Sequence, residues 1–306
     1  MYNKNTDIGF DIQWDRLPDS DRMKQLVSTL YNDLFKGAPL RNFVVINGVP
    51  IRFNPDNKVI GLNFSGGADS TMLFFILCKI IDTLKVDVKI VVSTLVRFWE
   101  ERSWTDDLTT NIFNYMKDKF PGVNMIHEMG FVPTTLEITP LKNLVFEQGK
   151  RLPFNEQIMN SAFADVYVVR NFSEYLADKH KIAVTYSGTT MNPEHLTDDV
   201  KAPKFRELRD ISTNDLVAYL AQPIIHDPFL LIQKSWVMAQ YQNFGLQDLL
   251  KMTRSCAAGG KVLDEIFGIN NWHVDGSDYS CGECFFCLER QWGQDNAGIY
   301  LEDYHK

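Results

Sequence analysis

The chain is poor in cysteine, has no surplus of positive charge and carries no long uncharged apolar run. Each shortage removes a class of function. Five cysteines in 306 residues are too few for a disulfide-stapled secreted scaffold. A net charge of −8 argues against broad nonspecific affinity for nucleic acid, which needs a basic surface. The basic group Lys201, Lys204, Arg206 and Arg209 reads most simply as a solvated helix face. No stretch reaches the ~20 uncharged residues that span a bilayer, so no membrane partner is expected. The opening residues Met1-Tyr2-Asn3-Lys4 lack the apolar core of a secretory leader, and a cytoplasmic, reducing setting is the expectation. Internal repeats and low-complexity tracts are missing too. What remains is 45% hydrophobic, enough for the sizeable core of one large domain with additions.

The most informative stretch is Ser65-Gly66-Gly67-Ala68-Asp69-Ser70. The strand-like run Val59-Ile60-Gly61-Leu62-Asn63-Phe64 precedes it. The apolar run Met72-Leu73-Phe74-Phe75-Ile76-Leu77 that follows has the leucine content of a buried helix. The motif therefore belongs on a tight strand-to-helix turn. Its two glycines permit positive φ and close backbone approach. Amides opening a helix point outward and attract anions. The hydroxyls of Ser65, Ser70 and Thr71 add donors to a phosphate. A carboxylate repels phosphate unless a cation lies between them, so Asp69 reads as a Mg²⁺ ligand, direct or through water. Asp69, Ser65 and Ser70 are the candidate catalytic residues. The alternative is an ordinary capped serine-glycine turn.

Four of the five cysteines lie toward the other end. Cys281, Cys284 and Cys287 form C-x₂-C-x₂-C, and Cys256 lies upstream in Thr253-Arg254-Ser255-Cys256. Four thiolates at such spacing can close a tetrahedral shell around Zn²⁺. His273 is a rival fourth ligand, and disulfides are the alternative. The fifth, Cys78, falls in the apolar helix and reads as a small core residue.

S-G-G-x-D-S after a strand resembles the PP-loop of the ATP pyrophosphatases, which cleave ATP between the α and β phosphates and adenylate a substrate oxygen. It is not the lysine-bearing P-loop. Together with the cysteine site it resembles the 7-cyano-7-deazaguanine synthase family. That resemblance rests on Thr253-Arg254-Ser255-Cys256, on Cys281 to Cys287, and on Arg290 and Gly293, and spans roughly residues 58–293. Tyr186-Ser187-Gly188-Thr189 resembles the second nucleotide-site strand end. Pro223 with Lys234-Ser235 resembles the threonine-proline and lysine positions ahead of the last helices. The resemblance implies ATP, Mg²⁺ and Zn²⁺. It also implies nucleotide contacts at residues 65–71 and Gly188, and adenine held by backbone groups near Thr94. Its substrates would be a small deazaguanine and ammonia, joined in an ATP-dependent, AMP-forming C–N ligation. Members often pair as dimers, so a homodimer is one expectation it carries. The chain departs from the family pattern at Phe154, at residues 97–102 and at Met191-Asn192. These departures bear on the acceptor rather than on ATP. Alternatives are transfer of an activated deazaguanine to a protein or nucleic acid, and a tRNA-thiolase type of reaction. Lys234 and Arg290 are candidate cationic helpers or plain surface charges. Phe285, Phe286, Trp292 and Trp272 are candidates to stack on a planar base, or to pack a core.

Strands are expected at 58–64, 86–95, 124–128 and 182–187. Helices are expected at 21–35, 70–84, 104–118, 155–179, 214–221 and 230–241. Residues 43–46 and 51–53 flank the hairpin-like turn Asn47-Gly48. Strands alternating with helices give an α/β class with a Rossmann-like parallel sheet. The expected organisation is an N-terminal extension over 1–57, an ATP-binding domain over 58–250 and a helical zinc-binding region over 251–306.

Overall fold

A computed structural model describes residues 43–97, 105–132, 145–146, 150–151, 164–190, 225–230, 232–256 and 285–299. Its centre is a five-stranded, wholly parallel sheet built from β3 (Val59–Asn63), β4 (Lys89–Arg97), β5 (Met125–Val132), β8 (Val184–Tyr186) and β9 (Ile225–His226). The order across the sheet is β5-β4-β3-β8-β9. After β3 the chain winds outward one way through β4 and β5, then returns to the other side of β3 as β8. The strand order reverses between β3 and β8, and parallel sheets bind ligands outside the carboxyl ends of strands at such a switch point. The expected α/β, Rossmann-like parallel sheet is present.

Helix α1 (Ala68–Leu84) follows β3, α2 (Thr105–Lys119) follows β4, and α3 (Ala164–His180) precedes β8. The described part of the C-terminal half adds α4 (Lys234–Asn243), α5 (Gln247–Met252) and α6 (Phe285–Ala297). A short hairpin, β6 (Val145–Phe146) with β7 (Lys150–Arg151), stands apart from the main sheet. β3 is the sheet's innermost strand, and Ile60 and Leu62 are wholly buried. Gly61 is the narrow point, where a Cβ would come within 2.8 Å of Thr185 Oγ1. α1 is apolar nearly all round, and its residues from Thr71 to Cys78 are all buried. A helix hydrophobic on every face belongs inside a core. Cys78 lies in it as expected, with burial pushing its thiol pKa well up.

The antiparallel hairpin of β1 (Phe43–Ile46) and β2 (Val49–Arg52) turns at Asn47 and Gly48, whose φ values are 48° and 73°. Two positive φ angles are the signature of a type I′ hairpin turn, which Asn-Gly favours. Val44, Ile46, Val49 and Ile51 enter the same apolar core as β3 and α1. Trp236 Nε1 donates to Asn47 O, and Tyr186 Oη donates to Arg52 O at 2.6 Å. The Arg52 N–H donates to His226 Nε2 at 3.1 Å, which fixes that nitrogen as unprotonated. Burial, reinforced by the Arg52 charge, lowers the His226 pKa to about 4.

One boundary differs instructively from expectation, and β9 and α6 are not among the expected elements. α4 starts at Lys234 rather than 230, because Asp227 to Leu230 form a turn. β9 is two residues long, too short for any alternation to show. α6 begins at Phe285, inside the cysteine motif. The expected helices at 21–35 and 214–221 lie outside the described residues, as do Trp272, His273, Phe154, Met191, Asn192 and the group Lys201, Lys204, Arg206 and Arg209. No helix among the described residues is long and apolar enough to cross a membrane.

Candidate active site

The turn from β3 into α1 is built around one strained position. Gly66 has φ +73°, and a Cβ there would come within 2.8 Å of Leu108 Cδ2. Glycine is thus required twice over, by the left-handed backbone and by the approach of α2. Gly67 differs from the sequence expectation. It is the N-cap of α1 with φ −72° and ψ 161°, an extended conformation open to any residue. No side chain caps the helix. Thr71 N–H returns to Gly67 O at 3.0 Å and closes the first turn. Ser70 Oγ donates to Gly67 O at 3.2 Å and lies 3.2 Å from Ser65 Oγ. The two serine hydroxyls therefore sit together over the turn, Ser70 buried and Ser65 exposed. Thr71 Oγ1 and Ser255 Oγ are buried without a hydrogen-bond partner. Ser255 Oγ lies 3.9 Å from a Cβ built on Gly67. Uncapped amides with unsatisfied hydroxyls beside them suit an anion.

The C-terminal half braces this turn. Arg254 N–H donates to Gly66 O at 3.0 Å, and Tyr241 Oη donates to Ala68 O at 2.7 Å. From β8, Gly188 lies against the first turn of α1. A Cβ on it would be 2.8 Å from Ser70 N and 2.9 Å from Asp69 C. The structure therefore brings Gly188 together with residues 65–71.

Asp69 faces a buried charge cluster. Its Oδ2 accepts from Lys234 Nζ and from Thr190 Oγ1 (3.4 Å). Lys234 Nζ also lies 3.5 Å from Glu289 Oε2, and Thr190 Oγ1 lies 3.5 Å from Glu289 Oε1. The Lys234 and Glu289 side chains are 3% and 1% exposed, whereas Asp69 is 16% exposed and alone reaches toward solvent. Among the described residues these three, when ionised, sum to one net negative charge. A carboxylate oxygen at the mouth of such a cluster is the donor type a hard cation such as Mg²⁺ takes. Lys234 is thus no surface lysine. Glu289 is not among the sequence candidates, since nothing beside it in the sequence signals burial against Lys234.

Arg290 is also buried, but its task is different. Nη1 donates to Thr253 O (2.8 Å) and Thr253 Oγ1 (2.9 Å), and Nη2 donates to Leu250 O (3.0 Å). It donates to carbonyls at the C-terminal end of α5, a capping role. The threonine and arginine shared with the resembling motif are thus partners of each other.

Thr94 is fully buried. Its hydroxyl donates to Phe64 O at 3.0 Å, so His127 Nε2, 2.8 Å away, is the donor to Thr94. The side chain is committed to tying β4 to the end of β3. Burial lowers the His127 pKa to about 4. Asp227, at the carboxyl end of β9, is buried beside Ser187 and Thr189. Burial lifts its pKa to about 7 against the opposing hydrogen bonds of those two residues.

Cys256 and Cys287 are both buried. Cys281 and Cys284 lie outside the described residues. Among the described residues no group of three or more His, Cys, Asp or Glu side chains is arranged to hold a metal ion.

No family model and no curated protein matches the chain. Solved structures of distant similarity exist. One is the U34-tRNA thiolase NcsA from Methanococcus maripaludis with its 4Fe-4S cluster, at 14% identity and TM-score 0.40 over 74% of this chain. The match covers 63% of the thiolase, less than two thirds of its length. Another is NAD+ synthetase from Burkholderia pseudomallei, at 10% identity and TM-score 0.36, covering 94% of this chain and 85% of the synthetase. Likenesses this distant carry no argument about activity.

Proposed function

We propose that the chain is an ATP-dependent, AMP-forming ligase of the PP-loop type, acting on 7-carboxy-7-deazaguanine and ammonia to give 7-cyano-7-deazaguanine. The observation that carries the ATP reading is the turn itself. A positive-φ Gly66, an uncapped α1, paired serine hydroxyls and the close packing of Gly188 all meet at the switch point of a parallel sheet. The acceptor comes from the resemblance of Thr253 to Cys256 and Cys281 to Gly293 to the deazaguanine nitrile synthases.

In this reading the amides of residues 67–70, with Ser65, Ser70, Thr71 and Gly188, hold the triphosphate. Backbone groups near Thr94 hold adenine. Mg²⁺ at Asp69 would neutralise charge on the phosphates, and the amides would stabilise departing pyrophosphate without reorganising. The substrate carboxylate attacks the α-phosphorus and releases pyrophosphate, and ammonia then displaces AMP to give an amide. A second ATP adenylates the amide oxygen, and loss of AMP leaves the nitrile. Zn²⁺ on Cys256, Cys281, Cys284 and Cys287 would be structural, because four thiolates leave no open coordination position.

One observation favours the thiolase-like alternative. Arg254 and Ser255 lie against Gly66 and Gly67, so Cys256 follows directly on residues that touch the nucleotide turn. Metal analysis separates the two, with about one zinc per chain for a Cys₄ shell and iron with sulfide for a cluster. The test of function is incubation with ATP, Mg²⁺, ammonia and 7-carboxy-7-deazaguanine, followed by mass spectrometry. Nitrile with pyrophosphate is expected. A deazaguanine adenylate or amide alone would redirect the reading to another acceptor. Asp69→Asn should abolish pyrophosphate release with the fold intact, and full activity in that variant would remove Asp69 from the mechanism.

A further inference from the structure

Lys234 lies in a slot made by two residues one turn apart on α6. Gly293 makes room for its stem, since a Cβ there would sit 2.7 Å from Lys234 Cγ and 3.1 Å from Lys234 Cβ. Glu289, four residues earlier and so on the same face, receives its head at 3.5 Å. Thr190 bridges the two carboxylates that flank it. The ammonium is therefore shared between Asp69, which reaches solvent, and Glu289, which does not.

We infer that Glu289 is a positioning residue that gives Lys234 a second seat, so that Asp69 can turn to the metal–triphosphate without stranding a buried cation. The inference rests on the nucleotide reading above. Asp69 cannot hold Lys234 and a divalent cation equally well. An ammonium buried without a counterion is strongly destabilising. A carboxylate already 3.5 Å away removes that penalty and requires only a small movement of Lys234 Nζ. Gly293 then has its own reason, since any side chain there would close the slot in which the lysine shifts.

The test is calorimetric binding of a non-cleavable α,β-methylene ATP analogue with Mg²⁺ to the full chain, in wild type, Glu289→Gln, Lys234→Met and the double variant. Glu289→Gln keeps the shape but removes the seat. It should weaken binding about tenfold or more, the scale of one charge-assisted hydrogen bond. In the Lys234→Met background the same substitution should change affinity less than twofold, because there is no lysine to seat. Equal loss in both backgrounds would mean that Glu289 meets the ligand or metal itself and would overturn the inference. Unchanged binding in Glu289→Gln would overturn it too. Glu289→Asp, which draws the carboxylate back from Lys234, supplies a second variant should Glu289→Gln unfold, and its loss of affinity should likewise vanish in the Lys234→Met background. Failure of the wild type to bind the analogue would instead sink the nucleotide reading, and is told apart by that.

Discussion

Replacing Asp227 with asparagine should stabilise the folded protein at pH 8 and leave its stability almost unchanged near pH 4. Asp227 as a whole is 3% exposed, and desolvation lifts its pKa from 3.8 to about 7 despite hydrogen bonds from Ser187 and Thr189. A pKa raised on folding means that the native state binds more protons than the unfolded chain between those two values. Stability contributed at this site therefore falls as pH rises from about 4 to about 7, and the full penalty applies above that. A shift of about three units at about 1.4 kcal/mol each sets an upper figure of about 4 kcal/mol. Asparagine has the shape of the protonated acid and no charge to bury, so it escapes the penalty. His127 and His226, each held near pKa 4 by burial, destabilise the protein as pH falls from 6.5 toward 4. They do so equally in both proteins and cancel in the difference. Urea denaturation followed by circular dichroism at steps from pH 4 to pH 8 measures that difference. A gap that is constant with pH, or that widens toward acid, would refute the assignment of a buried acid titrating near neutrality.

Gly188→Ala should weaken nucleotide binding at least tenfold, since the new methyl lies 2.8 Å from Ser70 N and must displace the first turn of α1. It should also cost about 1–3 kcal/mol of stability, and calorimetry with denaturant titration would show both. Arg290→Met should destabilise the fold by about 1–3 kcal/mol, because it removes the donor to Thr253 O and Thr253 Oγ1, while Leu250 O keeps the Thr253 N–H and hydroxyl. A loss under about 1 kcal/mol would mean that Thr253 O finds another donor.

What could be read from the sequence was local. The turn at 65–70 carries its information in six adjacent residues, and the hairpin needs only Asn47-Gly48 between apolar pairs. Strand–helix alternation then gives the sheet. Gly67 shows the limit even there. A Gly-Gly pair suggests two positive φ angles, but one suffices to turn the chain, and the second glycine becomes the N-cap. Lys234 and Glu289 were harder, because nothing near a charged residue in the sequence says that it will be buried. Lys234 is 165 residues from Asp69. Its burial follows from Gly293, from α6 packing on α4, and from the turn after β9 that fixes where α4 begins. Arg290 resembled a catalytic cation for the same reason. Only the carbonyls of Leu250 and Thr253 around it identify a cap.

The first turn of α1 is a junction rather than a loop on a finished scaffold. Ala68 O is held by Tyr241, Gly66 O by Arg254, and Asp69 by Lys234, and Gly188 closes the remaining side. Three of those four braces come from residues 234–254, and that stretch is in turn locked to α6 by Glu289 and Arg290. Backbone carbonyls at a tight turn are orphaned unless something donates to them. The conformation that exposes amides to an anion thus depends on donors supplied from the other half of the chain. Helix α6 thus acts on this turn at second hand, through the residues of α4 and α5 that it holds. Charge points the same way. A helix N-terminus alone attracts any anion, but here two carboxylates, Asp69 and Glu289, share one lysine beside it. In the proposed reading, the cluster of Asp69, Lys234 and Glu289 would favour an anion that brings its own cation, as magnesium–triphosphate does, over free phosphate.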